Sequence, residues 1–220
     1  MHIPQRARPG VGVLVGALLL AGIAADISPA RAAAGGAVSA LARRPGAAAG
    51  FVIKGSLTGV AATSARDVWA VGTEGLQPLI VHWNGTAWRR VRSPQLNGNL
   101  IAVAAIAARN AWAVGYRFTS AGTRALIEHW NGTVWRRVTS AALAGDSILT
   151  SVTATSAGNA WAVGMNGDSA AGRPMIQHWN GTAWRRVPSP TPASGGSLGS
   201  VAATSSRNAW AVGFTASDTP

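Results

Sequence analysis

Residues 68–85, VWAVGTEGLQPLIVHWNG, contain the two sequence patterns that decide the fold. The first pattern, Trp-Ala-Val-Gly, recurs at spacings of 43, 49 and 49 residues, with its tryptophan at Trp69, Trp112, Trp161 and Trp210. The second pattern, Trp-Asn-Gly-Thr, begins at Trp83, Trp130 and Trp179. A repeat of this length predicts an architecture in which each unit buries its apolar face against neighbouring units.

Each unit is predicted to contain four β-strands. Leu57 to Thr63 is rich in small and β-branched residues, and a turn-forming cluster separates it from the apolar run that begins at Val68, which indicates a hairpin. A second hairpin follows, because the strand ending at Trp83 meets Asn84-Gly85. That pair predicts a type I′ turn, in which both central residues need a positive φ. No segment after the first 32 residues shows sustained helical periodicity.

Four short antiparallel strands in about 45 to 50 residues are typical of a β-propeller blade. The units resemble the kelch family and its galactose-oxidase-like relatives in the glycine that closes the second strand (Gly72, Gly115, Gly164, Gly213) and the tryptophan of the fourth (Trp88, Trp135, Trp184). Kelch blades carry a paired glycine and an aromatic-acid turn, where this chain has one glycine and Trp-Asn-Gly. The chain is also similar to exported bacterial Trp-Asn-Gly-Thr repeat proteins. The predicted fold class is all-β, a β-propeller of about three and a half four-stranded antiparallel blades.

The amino terminus has the features of an export signal. Arg6 and Arg8 precede an uncharged apolar run over residues 9–25, and Ala30-Arg31-Ala32 fits a small-x-small cleavage site. We therefore predict a signal peptide over residues 1–32 and a secreted or cell-surface protein without a membrane span after cleavage. An uncleaved anchor is the alternative. The Ala- and Gly-rich residues 33–55 are predicted to form a flexible tether.

The repeats are predicted to occupy residues 56–220, with blades at about 56–99, 100–147 and 148–197 and a partial blade at 198–214. The sequence contains four first hairpins but three second hairpins, which predicts an incomplete array of blades. Such an array would come from a truncated reading frame or from a fragment of a longer protein. A minimal four-bladed ring is the alternative. The last hairpin is then expected to expose an unpaired strand edge, which predicts self-association.

The amino-acid composition limits the classes of partner and of chemistry that are expected. The formal net charge of +12 indicates anionic partners, and an extracellular polysaccharide or anionic wall polymer is favoured over nucleic acid. The alternative is that the arginine content reflects a GC-rich coding region. Without cysteine the chain has neither disulfides nor a thiol nucleophile, and galactose-oxidase chemistry, which needs a cysteine-linked tyrosine at copper, is excluded.

The repeated polar residues are predicted to be structural. The histidines at positions 82, 129 and 178 diverge around the array, so packing is favoured over a metal site. The Asn-Gly-Thr triplets are explained by the turn rather than by glycosylation, and the arginine pairs 89–90, 136–137 and 185–186 by a solvated outer edge rather than by stacking on sugars or bases. No phosphate-loop, Gly-x-Ser-x-Gly or His-Glu-x-x-His pattern occurs. We therefore predict a non-enzymatic protein with no cofactor and no metal.

Loop lengths indicate a binding face. The turns between the first and second strands and between the third and fourth strands keep a constant length, whereas the other two connections vary. In an up-and-down blade the two variable loops share one face, and insertions collected on one face commonly mark the binding face. Its candidate ligand-binding residues are Glu74, Gln77, Tyr116, Arg117, Arg124, Asn166, Asp168 and Arg173. The alternatives are a fragment of a propeller hydrolase or lyase, with catalytic residues in further blades, and a structural spacer.

Overall fold

A computed structural model describes residues 11–14, 52–167 and 172–216. The regular elements of these segments are fifteen β-strands, and none of the described residues forms a helix that could cross a membrane. In chain order the strands are β1 (Val11–Leu14), β2 (Ser56–Ser64), β3 (Asp67–Glu74), β4 (Gln77–Trp83), β5 (Trp88–Val91), β6 (Gly98–Ala107), β7 (Asn110–Thr119), β8 (Gly122–Trp130), β9 (Trp135–Val138), β10 (Ser147–Ser156), β11 (Asn159–Asn166), β12 (Arg173–Trp179), β13 (Trp184–Val187), β14 (Gly196–Ser205) and β15 (Asn208–Thr215).

The strands form four sheets in the order of the repeats. Blade 1 (β2 to β5), blade 2 (β6 to β9) and blade 3 (β10 to β13) are four-stranded antiparallel sheets with sequential strand order. The antiparallel pair β14 and β15 forms the first hairpin of a fourth unit, which we call half-blade 4. The prediction of an all-β fold built from four-stranded antiparallel propeller blades is confirmed.

Consecutive blades pack face to face. One face of each blade carries the second-strand tryptophan, and we call it the tryptophan face. The other carries the first-strand valine and is called the valine face. Trp69 on blade 1 packs with Leu100 and Val103 of blade 2, and Trp112 repeats this contact with Leu149 of blade 3. Because the second strand is covered on both sides, its Trp-Ala-Val run is apolar without alternation.

Hydrogen bonds also cross between blades. Each first strand contains a bulge at the residue after its leucine. In blade 1 the bulged Thr58 donates its hydroxyl to the carbonyl oxygen of Leu100 in blade 2, at 2.8 Å. Thr150 makes the same bond to Leu198 in half-blade 4, at 2.6 Å. In blades 1 and 3 the bulge therefore places a threonine hydroxyl against the backbone of the following unit. The bulged residues of blade 2 and half-blade 4, Ile101 and Gly199, have no hydroxyl.

The prediction of a type I′ turn at Asn-Gly is wrong. Asn84 and Ala87 form the closing pair, with Asn84 N donating to the Ala87 carbonyl at 3.3 Å, so the central residues are Gly85 and Thr86. Gly85 has φ of 92°, and no residue other than glycine has a positive φ in the described part of the chain. A positive φ at the first central position alone matches a type II′ turn. The Asn84 Oδ1 accepts from the backbone N of Thr86 and of Ala87, at 3.0 and 2.9 Å, and so fixes the turn.

The edge of half-blade 4 also differs from expectation. The sequence predicts that β15 has an unpaired edge, but β1 lies beside it in parallel and pairs with Ala209 to Val212. The cause is the unused row of backbone donors and acceptors on β15, which any extended segment can satisfy. Because β1 falls within the predicted signal peptide, the pairing applies to the uncleaved chain.

Candidate functional site

The variable loops collect at one end of the blades, as the loop lengths predict. At the opposite end, each third-strand tryptophan indole donates to the turn between the first two strands, as Trp83 Nε1 does to the Ala65 carbonyl at 3.1 Å. At the variable end, Gly98 N donates to the Leu76 carbonyl at 2.7 Å, which joins the loop entering blade 2 to the β3–β4 turn of blade 1. We call the end that carries these loops the variable-loop face.

An open groove of about 490 Å³ lies on the variable-loop face of blade 2. Its walls are the β7–β8 hairpin, the strand β9 and the loop that follows β9. Arg117 and Arg124 stand opposite each other on β7 and β8, and Arg137 contributes from β9. The groove is therefore lined by three guanidinium groups.

The three arginines differ in how they are held. Arg124 donates to the carbonyl oxygens of Thr123 and Ala121, at 2.9 and 2.6 Å, and pairs with Asp146 at 3.3 Å. Arg117 and Arg137 form no ion pair within the described segments. Partial burial lowers the pKa of Arg117 from its ordinary value, and the positive charges of Arg137 and Arg124 lower it further. Arg117 and Arg137 are therefore the groups with hydrogen-bond donors left for an anion.

Blade 1 shows how the same positions look when the charge is neutralised. Glu74 is the blade 1 counterpart of Arg117, because each lies two residues after the glycine that closes the second strand. Arg90 is likewise the counterpart of Arg137, and Glu74 forms an ion pair with it. In blade 2 an arginine replaces the carboxylate, so the internal ion pair becomes a cluster of like charges.

The other predicted site residues are spread over the same face without joining the groove. Gln77 donates to Asn97 Oδ1 at 3.0 Å, and Tyr116 packs edge-on against Phe118 with ring centroids 5.4 Å apart. Asn166 supports the loop before β10 by donating to the carbonyl oxygens of Ala144 and Asp146, both at 2.8 Å. Arg173 is exposed at the start of β12, opposite Asn166, and Asp168 lies outside the described residues. Among the described candidates, Glu74 lies opposite Gln77 and Asn166 opposite Arg173, but only Arg117 and Arg124 line the groove.

Arg137 is the groove residue that the sequence analysis missed. The arginine pairs are exposed, as the prediction of a solvated edge requires. Adjacent residues of a strand point to opposite faces, and Arg137 lies on the same face as Glu128, its cross-strand partner. Comparing Glu74 with Arg117 across the repeats would have identified the unneutralised member of the pair.

The sheet of blade 2 also carries a buried carboxyl group, that of Glu128. Glu128 on β8 is fully buried and accepts the Ser93 hydroxyl, 2.9 Å from both carboxylate oxygens. Burial raises its pKa to about 7, although the Ser93 hydrogen bond opposes the shift. In blade 3 the equivalent residue is Gln177, which is held by Ser140 at 2.8 Å. Each contact joins the loop leaving one blade to the third strand of the next.

The histidines pack inside their own blades. His129 stacks near Trp112 with centroids 4.2 Å apart and bonds to Asn110 Oδ1 at 3.0 Å, and the other two blades repeat this arrangement with Asp67 and Asn159. Burial lowers the pKa of His129 and of His178. This placement confirms the prediction of packing histidines, and no three His, Asp or Glu side chains in the described segments are grouped to hold a metal ion.

Comparisons with known proteins give a distant likeness. No protein-family profile and no curated protein matches the chain. Among solved structures, YCF48 bound to D1 peptide is 14% identical with a TM-score of 0.45, covering 66% of this chain and 47% of that one. YCF48 from Cyanidioschyzon merolae is 22% identical with a TM-score of 0.45, covering 68% and 48%. The chain spans about half the length of these proteins. The assignment of blades rests on the hydrogen-bonded sheets of this chain alone.

Proposed function

We propose that this protein is an exported, non-enzymatic binding protein whose blade 2 groove takes an anionic extracellular polysaccharide. The observation that carries the proposal is the replacement of Glu74 in blade 1 by Arg117 in blade 2, opposite a retained arginine. A carboxylate supplied by a ligand would occupy the role that Glu74 plays toward Arg90. The predicted signal peptide supports an extracellular setting, and the basic composition supports an anionic ligand.

Arginine suits a carboxylate-bearing sugar. The guanidinium is planar and presents paired N–H donors that match the two oxygens of a carboxylate. Arg117 and Arg137 supply these donors, while Arg124 is held by Asp146 and the hairpin carbonyls and adds positive charge. The groove is open to solvent, so a polymer can enter it without threading a closed cavity. A uronic acid residue within a chain of neutral sugars fits these features.

The test is a calorimetric titration of the full chain with oligogalacturonate and with a neutral oligosaccharide of the same length. Arg117→Glu recreates the blade 1 ion pair with Arg137 and should weaken oligogalacturonate binding by about tenfold or more, since a charged hydrogen bond contributes about 1.5–3 kcal/mol. Arg186→Glu is the matched control, because it changes the net charge equally at the blade 3 counterpart of Arg137. We expect the control to bind within about twofold of the parent protein.

Three results would contradict the proposal. Equal weakening by Arg117→Glu and Arg186→Glu would show that the overall charge attracts the ligand and the groove does not. Equal affinity for the neutral oligosaccharide would show that carboxylates are not recognised. Poly-glutamate is included as a third ligand, and tighter binding of it than of oligogalacturonate would assign the groove to acidic peptides instead.

A further inference from the structure

The two outer faces of the array are exposed in a way that the internal faces are not. Trp210, on the tryptophan face of half-blade 4, is 45% exposed, whereas Trp69, Trp112 and Trp161 are 1%, 0% and 5% exposed. At the other outer face, Val60 of blade 1 is 69% exposed, whereas the equivalent Val103 is 8% exposed. The neighbouring Ala70, Leu79 and Val81 of that face are buried beside Ile53. Val212 and Phe214 extend the exposed apolar surface beside Trp210.

Inside the array a pair of tryptophans receives each second-strand tryptophan. Trp69 lies 5.0 Å from Trp130 and 5.2 Å from Trp135, between ring centroids, and the second of these contacts is edge-on. Trp112 meets the corresponding pair of blade 3 at the same two distances. The second-strand tryptophan of blade 1 or blade 2 thus packs on a pair of indoles on the valine face of the next blade, Trp130 and Trp135 or Trp179 and Trp184, and we call each such pair a two-indole receptor.

Blade 1 carries the same receptor without a tryptophan on it. Trp83 and Trp88 lie 6.0 Å apart at 47°, and the receptor pair of blade 2 lies 5.9 Å apart at 40°. No other aromatic ring in the described segments contacts Trp83 or Trp88. Ile53 precedes Leu57 by four residues, as Leu96 precedes Leu100, and it packs with the buried Leu79 and Val81. Val60 and the Trp83–Trp88 pair, which are not buried, form the part of the valine face that is left for docking.

We propose that the tryptophan face of half-blade 4 docks on the valine face of blade 1 of a second copy of this chain. Trp210 of one copy would lie on the Trp83–Trp88 pair of the other, beside Val60. The two surfaces correspond to the two sides of the interfaces between blades 1 and 2 and between blades 2 and 3, with the difference that half-blade 4 contributes only its first hairpin. The described residues of each copy carry one of the two surfaces at each end of the array, so the contact is head-to-tail and continues into longer assemblies.

The test is sedimentation velocity of the full chain over a range of concentrations. The parent protein should form oligomers that grow with concentration. Val60→Asp and Trp210→Asp should each weaken association by roughly 30-fold or more, as a tryptophan at the centre of an interface does. Val134→Asp is the control, because Val134 is 42% exposed in the β8–β9 turn, away from both faces, and its substitution should leave association unchanged.

Mixing the variants gives the decisive measurement. Val60→Asp retains the Trp210 face and Trp210→Asp retains the Val60 face, so an equimolar mixture should form dimers and nothing larger. Val212→Asp, on the Trp210 face, repeats the experiment independently. A parent protein that stays monomeric, by closing on itself or otherwise, would overturn the proposal. A mixture that stays monomeric, or a Val60→Asp variant that still associates by itself, would overturn it as well.

Discussion

Replacing Glu128 by glutamine should stabilise the protein above neutral pH. The carboxyl group is fully buried and its hydrogen-bond partner is the Ser93 hydroxyl. Glutamine is already present at the equivalent position of blade 3, where Gln177 bonds to Ser140. The substitution therefore keeps the size and the hydrogen-bonding capacity of the side chain and removes its charge.

The magnitude follows from the raised pKa. The pKa of Glu128 is about 7 in the folded protein, against a reference of 4.5. The folded state thus binds a proton more tightly than the unfolded state, so the free energy of unfolding falls as pH rises from about 4.5 to 7. A shift of this size corresponds to about 3 kcal/mol of lost stability above pH 7. Below about pH 4.5 the carboxyl is protonated in both states and the penalty vanishes.

The assay is denaturant unfolding of the parent and of Glu128→Gln between pH 4 and pH 8.5. We expect the variant to be more stable by about 3 kcal/mol at pH 8 and nearly equal to the parent at pH 4. Glu74→Gln is the control, because Glu74 is partly exposed and paired with Arg90, and exposed pairs contribute little to stability. A stability difference between parent and Glu128→Gln that does not change with pH would refute the argument.

Two further predictions concern the turns and the amino terminus. Gly132→Ala should destabilise the protein more than Gly181→Ala in thermal unfolding. The two glycines have nearly the same φ, 95° and 96°, but a Cβ at Gly132 would lie 2.7 Å from Arg109, whereas the atom nearest to a Cβ at Gly181 is Gly158 Cα at 3.6 Å. Equal losses of stability would show that the contact with Arg109 adds nothing to the backbone strain. The mature amino terminus should be Ala33, from the leader's charge and apolar pattern, and an intact mass that includes the leader would contradict the predicted cleavage.

The sequence predicted the strands well, because each unit repeats the same local signals. An apolar Trp-Ala-Val run specifies a strand covered on both sides, and the histidine opposite the tryptophan was correctly assigned to packing. The turn type was not predictable from Asn-Gly alone. Asn84 places its side-chain oxygen where it accepts two backbone donors, which moves the asparagine out of the central positions.

The candidate site was only partly predictable. Loop lengths identified the variable-loop face and two of the three groove arginines. Arg137 was missed because its neighbour Arg136 has the same side chain, and strand alternation alone does not say which of the two faces a groove. Burial of Glu128 was missed for a related reason, since its position is apolar in blade 1, where it is Val81, and polar in the other two blades.

The polar contact between successive units bears on how such chains can grow. In each case the serine belongs to one repeat and its acceptor, Glu128 or Gln177, to the following repeat. A gene duplication that copies blade 2 or blade 3 therefore carries a serine donor for the next unit and an acceptor for the serine of the previous one, so the new junction is satisfied at once. Ser189 occupies the same place after blade 3. A designed hairpin that completes half-blade 4 and carries glutamine on its first strand, the third strand of that unit, would supply the partner of Ser189 without altering any existing residue.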